Sequence, residues 1–265
     1  AGLRPGDLIR AIDQRPTRDM SAYEGARLLR GAPGSRVSLL VIRGNAADPH
    51  DVSLVRERLA GSEIASRMAE PGIGYVRLLE FGKDTPRRLK QAIDALAKTG
   101  ATRYIIDLRG TARGDLDDGV AAARLFVKSG TLTVRLARAD QKEVVAAQGS
   151  DGAVTAPVEL LMDPGTSGPA EVFAAALKGN GRAELIGTVS LGRAARQRLV
   201  KLPDGSGLWL TYLRYLTPKS DPIHERGLAP DVDVDYPDVE FGAPVPTPDA
   251  TLQKAVERFA QKKAA

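Results

Sequence analysis

A glycine- and proline-rich turn that leads into a helix carries the residues best placed to do chemistry in this chain. The turn reads TSGPAE over 166–171, and a Gly-Arg loop, LGR, lies further on at 191–193. Main-chain N–H groups at such a helix start can hold an oxyanion, so the pattern is typical of a catalytic elbow. Gly168, however, has no side chain to act as a nucleophile. The guanidinium of Arg193 keeps its proton at biological pH and cannot be a general base.

Strands and helices alternate around this elbow. The apolar run YIIDL at 104–108 predicts a strand covered on both faces, and a Pro-led amphipathic stretch with Thr85 as its cap predicts a helix over 85–100. Further elements are predicted as helices over 117–127 and 248–261 and after the elbow turn, with Pro169 in the first turn. Strands are predicted at 74–81, 131–138, 142–147, 158–162 and 183–186, and a hairpin over 197–217. This alternation predicts a layered α/β core.

The first 59 residues predict a smaller mixed unit. It comprises a strand at 7–13, a helix with Ser21 as N-cap and Gly31 as C-cap, and two strands joined by a polar turn over 44–50. The Glu-Pro-Gly sequence at 70–72 marks a boundary in the pattern, and the Pro-rich run 243–247 predicts an extended linker. The expected domains are 1–60, 61–242, and 243–265 with the last helix.

Composition excludes several classes of function. The chain has 265 residues and a net charge of +5, with basic residues spread along its length, which argues against nucleic-acid binding. It has no cysteine, so thiolate catalysis and Cys-based metal sites are excluded. No apolar run approaches the ~18–20 residues needed to span a bilayer. The chain begins at Ala1 rather than Met, so we expect a mature or trimmed form.

Five segments in order resemble the C-terminal processing (tail-specific) serine peptidases. They are EPGIGYVRL at 70–78, IDLRG at 106–110, the elbow, the stretch 202–217, and GLAPDV at 227–232. In addition, AGLRPGDLIRAID at 1–13 resembles the second half of a bacterial PDZ domain. The resemblance implies a crotonase-like β-β-α core in the α/β class, preceded by a partial PDZ-like unit. It also implies a periplasmic or other extracytoplasmic location, and unfolded proteins or peptides as partners.

Active members of this family use a Ser nucleophile, a Lys base and a Gln that orients the Lys. The resemblance places Gly168 at the nucleophile position, three residues before Glu171, and Arg193 at the base position. Gln197, four residues further, matches the orienting position. Both members of the dyad are thus expected to be substituted, while the orienting residue is kept.

The oxyanion turn and the PDZ-like part also depart from the family pattern. The resemblance assigns the oxyanion turn to Arg113, Gly114 and Pro169, with Arg113 in place of one of two paired glycines. An Arg193 side chain in the old cleft predicts an ion pair with Asp163 or Glu171, or else an anion site. The strand that pairs with a peptide in PDZ domains precedes Ala1, so either it lies upstream or the protein does not read C-termini in that way.

The leading interpretation is a catalytically degenerate homologue that binds proteins or peptides, without cofactor or metal. The alternative is an active serine peptidase that uses Ser167 with Lys178, Lys201 or His224. We expect Ser167 or Thr166 to cap the helix instead. His50 and His224 are expected to be solvated, and two isolated histidines predict no metal site. Paired carboxylates at 117–118 are expected to stabilise a helix start, and those at 231–235 to lie on a solvated edge strand.

Overall fold

The computed structural model describes residues 2–44, 49–58, 64–204, 207–235, 239–244 and 246–264. Contacts within the chain divide it into two compact units. The first contains residues 1–62 together with 237–247, and the second contains residues 63–236 together with 248–265. The Pro-rich segment near 243 therefore contacts the first unit instead of serving only as a linker.

The first unit is a small antiparallel sheet with one helix. Its elements are β1 (Leu8–Ile12), β2 (Arg15–Pro16), α1 (Ala22–Leu29), β3 (Arg36–Ile42) and β4 (His50–Val55), with strand order β2-β1-β3-β4. Ser21 caps α1 as predicted, and its hydroxyl accepts from the N–H of Glu24 at 3.1 Å. The helix ends at Leu29 with Arg30 as C-cap, so the prediction of Gly31 was wrong. Most of the predicted turn at 44–50 lies outside the described residues.

The second unit is built on a six-stranded sheet. Its strands are β5 (Ala65–Glu70), β6 (Ile73–Arg77), β7 (Arg103–Asp107), β10 (Val158–Met162), β11 (Ala183–Gly187) and β14 (Val232–Asp233). The strand order is β14-β11-β10-β7-β6-β5, and every pair is parallel except β5 with β6. The Glu-Pro-Gly turn joins β5 to β6 inside this sheet, so the boundary inferred there was wrong.

Helices cover both faces of the large sheet, as the apolar run in β7 predicted. The helices are α2 (Thr85–Lys98), α3 (Leu116–Ala123), α4 (Pro169–Gly179) and α5 (Ala250–Ala264). Consecutive strand residues point to opposite sides. Thus Ile106 packs in the core with α2, α3 and α4, whereas Ile105 packs with Phe259 of α5. The predicted α/β layered core is therefore confirmed. The N-cap of α2 is Asp84 and not Thr85, the first helical residue.

A smaller antiparallel sheet completes the second unit. It contains β8 (Thr131–Ala137), β9 (Lys142–Ala146), β12 (Ala195–Lys201) and β13 (Gly207–Leu216), in the order β12-β13-β8-β9. The predicted hairpin corresponds to β12 and β13, although part of its turn, at 205–206, lies outside the described residues. β12 directly follows the Gly-Arg loop, so this sheet positions Arg193 and Gln197.

Candidate active site

The elbow at the start of α4 is held by side chains buried beneath it. The Asp163 carboxylate accepts from the N–H groups of Gly110 and Gly165, at 2.8 and 2.9 Å. The hydroxyl of Thr166, which is fully buried, donates to the carbonyl of Leu108 at 2.9 Å. Neither Thr166 nor Ser167 caps the helix, so that prediction was wrong, because the Thr166 hydroxyl is engaged below the turn.

Gly168 is the N-cap of α4 and lies in a backbone conformation that other residues rarely adopt. Its φ is 61° and its ψ is −120°, in the left-handed half of the map that favours glycine. A Cβ at this position would nevertheless find room, since its nearest neighbours would be Ala112 O at 3.8 Å and Leu116 Cδ2 at 3.9 Å. The site expected for the nucleophile therefore retains space for a side chain.

Glu171 holds the elbow and the Gly-Arg loop together. Its carboxylate is fully buried and accepts four hydrogen bonds. The donors are the N–H of Gly168 at 2.9 Å, the N–H of Gly192 at 2.5 Å, the N–H of Arg193 at 2.7 Å and the hydroxyl of Ser190 at 2.5 Å. The capping role of Glu171 is thus exerted on the backbone of two segments. The sequence analysis did not assign it or Ser190 a role in the loop, although a Glu three residues after an N-cap is a signal for such a bond.

Arg193 places its backbone, and not its side chain, in this network. The Arg193 side chain is exposed and makes no ion pair or side-chain hydrogen bond with the described residues. The expected ion pair with Asp163 or Glu171 is therefore wrong. Both oxygens of Glu171 and Oδ1 of Asp163 already accept N–H and O–H bonds, so these oxygens are engaged without the guanidinium. A convergent anion site is likewise not formed, since the guanidinium does not join the helix start.

Gln197 lies on β12, four residues beyond Arg193, and is exposed. Its side-chain amide donates to the Thr211 hydroxyl on β13 at 3.1 Å. The structure thus places Gln197 and Arg193 on one continuous segment, with the Gln197 amide directed to the neighbouring strand.

The turn expected to form the oxyanion hole lies directly beside the elbow. The N–H of Ser167 donates to the carbonyl of Thr111 at 2.9 Å. The side chain of Arg113 leaves the turn and pairs with Glu80, with Nη2 and Oε2 2.8 Å apart. Gly114 has a φ of 122°, and a Cβ there would lie 2.2 Å from the carbonyl oxygen of Phe81.

The elbow is also packed closely from the other side. A Cβ on Gly119 of α3 would lie 2.2 Å from the carbonyl oxygen of Pro169, so α3 and α4 meet at their backbones. The residues predicted from resemblance, Gly168, Pro169, Arg113 and Gly114, therefore surround one place. Their catalytic roles remain predictions.

The groups considered as a substitute base differ in their position relative to Ser167, which is buried. Lys178 lies ten residues along the chain from Gly168, about 15 Å at the helical rise, and its ammonium pairs with Asp231 at 2.9 Å. Lys201 ends β12, about 20 Å from the first residue of that strand. Lys178 is thus held away from Ser167 by its helix and its ion pair, and Lys201 lies at the end of β12 that is remote from the Gly-Arg loop.

His224 is not solvated as expected. Its side chain is only 12% exposed, and Nδ1 is buried without a hydrogen-bond partner among the described residues. The neighbouring N–H of Glu225 donates to the carbonyl of Gly192 at 2.9 Å, so this segment lies on the Gly-Arg loop. His50, also expected to be solvated, is half-buried and stacks on Phe241 with ring centroids 4.4 Å apart. In both cases tertiary packing covers an imidazole in a segment whose polar sequence suggests an exposed turn.

A charged network outside the predicted site anchors the turn that follows β7. Arg109 bridges the carboxylates of Asp107 and Asp249, each with Nη2 2.7 Å from an oxygen, and thereby ties the start of α5 to this turn. The hydroxyl of Tyr75 donates to Asp107 at 2.7 Å. Burial, and then the negative charge of Asp107, raise the pKa of Tyr75 to about 12. Sequence spacing gave no signal for this network, because Tyr75 and Asp249 lie far along the chain from the neighbouring Asp107 and Arg109.

A second network joins α3 to the small sheet. Asp117, predicted only to stabilise a helix start, accepts from the hydroxyl of Tyr215 and from Arg135, both at 2.6 Å, and pairs with Arg196 at 2.8 Å. Burial raises the pKa of Asp117, but these donors outweigh burial and hold it below its usual value. Burial and the bond to Asp117 raise the pKa of Tyr215 to about 12.

The described residues hold no cluster of three or more potential metal ligands from His, Cys, Asp and Glu. Among the same residues, no helix combines the length and apolar character needed to cross a bilayer.

Comparison with protein families identifies this fold. Residues 72–234 match the model of peptidase family S41, and residues 1–43 match a PDZ domain. The chain therefore belongs to peptidase family S41.

Relatives of known name agree with this assignment. The chain is 33% identical to a carboxyl-terminal-processing protease of Synechocystis sp. over 97% of its own length, and 32% identical to the carboxy-terminal processing protease CtpA of Bacillus subtilis over 90%. It spans only 61% and 51% of those two relatives. Among solved structures, it is similar to a photosystem II D1 C-terminal processing protease, with a TM-score of 0.78 and 30% identity, covering 88% of this chain and 64% of that one.

Proposed function

We propose that this chain is a catalytically degenerate member of peptidase family S41 that binds unfolded proteins or peptides. The observation that carries the proposal is the absence of a side chain on Gly168, at the start of α4, where the family resemblance expects the nucleophile. Acyl transfer by covalent catalysis needs a nucleophile with a group nearby to accept its proton. Gly168 supplies no nucleophile, and the exposed guanidinium of Arg193 cannot accept a proton.

The shell around these two positions supports descent from an active peptidase. The elbow lies beside the adjacent turn, Gln197 is kept at the position that the resemblance assigns to the orienting residue, and there is room for a Cβ on Gly168. The oxyanion turn is the part most altered, because Arg113 leaves it to pair with Glu80. In this proposal the cleft still binds peptides but no longer catalyses their hydrolysis.

The test combines casein, as an unfolded substrate, with a fluorophosphonate probe for reactive serines. We expect no cleavage of casein and no labelled serine in the wild-type protein. Gly168→Ser combined with Arg193→Lys should restore detectable cleavage beside Gln197, whereas Gly168→Ala with Arg193→Lys is the matched control and should stay inactive. Labelling of any serine in the wild type, accompanied by cleavage, would overturn the proposal.

One observation favours a second candidate, an active serine peptidase of the same family with a non-standard dyad. Nδ1 of His224, which has no hydrogen-bond partner in the described part of the chain, lies in a segment bonded to the Gly-Arg loop, and Ser167 lies in the elbow. Cleavage of casein that is lost in both Ser167→Ala and His224→Ala, but kept in His50→Ala, would establish this candidate in place of the first.

We also propose that bound peptides occupy the second unit, and that the protein acts outside the cytoplasm. The elbow and the adjacent turn, where the family resemblance places the site, both belong to that unit. The exposed guanidinium of Arg193, which has no ion pair among the described residues, favours acidic ends. Arg193→Glu should weaken binding of an unfolded acidic peptide, and an unchanged affinity would contradict this placement. Fractionation of cells that produce the full protein tests the location, and recovery in the cytoplasm would contradict it.

A further inference from the structure

β13 is longer than one of its two partner strands. It pairs with β12 from Gly207 to Arg214, but with β8 only from Leu213 to Leu216. Over 210–212, the edge of β13 that faces away from β12 has no strand partner in the described part of the chain. A strand edge of this kind presents N–H and C=O groups that can pair with another segment.

A groove of about 650 Å³ lies beside this free edge. The end of β8 and the turn Arg138–Asp140 close one side of it, and the strand residues 210–214 line the other. Leu210 and Tyr212 are 40% and 43% exposed, although both are large and apolar in most of their surface. The groove therefore combines an unpaired backbone edge with apolar side chains that are only partly covered.

The charge of the groove is strongly one-sided. Arg138, Arg198 and Arg214 line it and are exposed, whereas Asp140 is its one acidic residue. None of the three arginines forms an ion pair with another described residue, and Arg198 lies over the Tyr212 ring at 5.7 Å. Elsewhere in this sheet arginines are paired, as Arg135 is with Asp117. The free guanidiniums thus favour an anionic ligand.

We propose that this edge of β13 docks an extended acidic segment of a partner protein, which adds to the sheet as a strand. Strand addition takes its affinity from main-chain bonds and its specificity from alternate side chains. Here that combination selects carboxylates for the arginines and apolar residues for Leu210 and Tyr212. A second copy of this chain would bring the same positive charge to the edge and be repelled. A flat membrane surface would not enter a concave groove.

This inference rests on the proposed peptide-binding role but not on the loss of catalysis. The probe is a fluorescein-labelled octapeptide of alternating Glu and Leu, titrated against the full chain by anisotropy. Arg198→Glu with Arg214→Glu should weaken binding about tenfold or more, because two attractive charge pairs become repulsive. Arg27→Glu with Arg87→Glu, on exposed helix faces elsewhere, has the same net charge and should bind within about twofold of wild type. Thermal unfolding confirms that both variants are folded.

Two further arms separate the alternatives. A peptide N-methylated at alternate residues should bind at least about tenfold more weakly, because blocked N–H groups cannot complete a strand ladder. Vesicles of phosphatidylglycerol test an anionic surface. The inference is overturned if the octapeptide does not bind, if a Lys-Leu peptide binds equally, if both double variants lose affinity alike, or if only vesicles bind. Casein cleavage by the wild type would instead refute the proposed loss of activity and leave the docking result standing.

Discussion

Replacing the buried carboxylate of Glu171 by an amide tests how the site is held together. The carboxylate accepts from four donors, at 2.5 to 2.9 Å. In Glu171→Gln a single oxygen can accept two of these bonds, while the new NH₂ group points at the remaining donors. Losing two hydrogen bonds to a charged acceptor, at about 1.5–3 kcal/mol each, predicts a loss of about 3–6 kcal/mol in the free energy of unfolding.

Chemical denaturation of the full chain measures this loss, and Glu143→Gln serves as the control. Glu143 is 65% exposed and pairs with Arg135 on the surface, so its replacement should cost less than about 1 kcal/mol. Amide hydrogen exchange should also accelerate at Gly192 and Arg193 more than in the core strands. A loss below about 1 kcal/mol in Glu171→Gln, with unchanged exchange at both amides, would refute the reasoning.

Three further predictions concern stability. Asp7→Asn should destabilise the first unit by about 3 kcal/mol at neutral pH, because Asp7 is 5% exposed and Arg43 binds it through two nitrogens at 2.7 Å. The Arg43 hydrogen bond holds the pKa of Asp7 below its usual value of 3.8. The loss in the free energy of unfolding caused by Asp7→Asn should therefore be greatest above pH 4. It should shrink as the pH falls through the lowered pKa of Asp7. Gly114→Ala should cost more than about 3 kcal/mol, since its Cβ would meet the Phe81 carbonyl at 2.2 Å. Gly168→Ser should cost only the backbone strain of about 1–3 kcal/mol.

Each of these has a measurement and a control. Thermal unfolding between pH 2.5 and 7 follows Asp7→Asn, and a pH-independent difference would contradict the ion-pair assignment. Gly34→Ala controls the glycine variants, because Gly34 also has a positive φ, of 85°, but has nothing within 4 Å of the added Cβ. If Gly114→Ala is no worse than Gly34→Ala, the close approach to Phe81 is not what requires glycine there.

The alternation of elements in the second unit was predictable because it follows from local pattern. Apolar runs such as 104–108 and the Pro-led helix starts at 86 and 169 correspond to observed strands and helices. Domain boundaries were less predictable, because the same turn sequence can join two strands of one sheet or end a domain. The Glu-Pro-Gly turn at 70–72 separates two strands of one sheet, and nothing in its composition distinguishes that from the end of a domain.

The interior of the site was predictable only in part. The order of the motifs predicted that Gly168, Arg113 and Gly114 lie close together. It did not indicate which carboxylate accepts from which hydrogen-bond donor. Arg193 illustrates the limit. A charged side chain beside two carboxylates suggests an ion pair, yet main-chain N–H groups had already satisfied the oxygens of Glu171. Such saturation depends on three-dimensional packing, which residue types and spacing do not record.

The hydrogen bonds between Glu171 and the Gly-Arg loop have an evolutionary consequence. Apart from the Ser190 hydroxyl, its partners are main-chain N–H groups, which every residue except proline possesses. The hydrogen bonds of the loop therefore do not depend on the side chain carried at position 193, which is exposed. A side chain at position 168 keeps these bonds but adds the backbone strain of a positive φ, about 1–3 kcal/mol. Selection for a stable protein thus favours glycine at 168 and does not preserve any particular side chain at 193. A lineage that stopped needing the chemistry could lose it by drift while inheriting the scaffold intact.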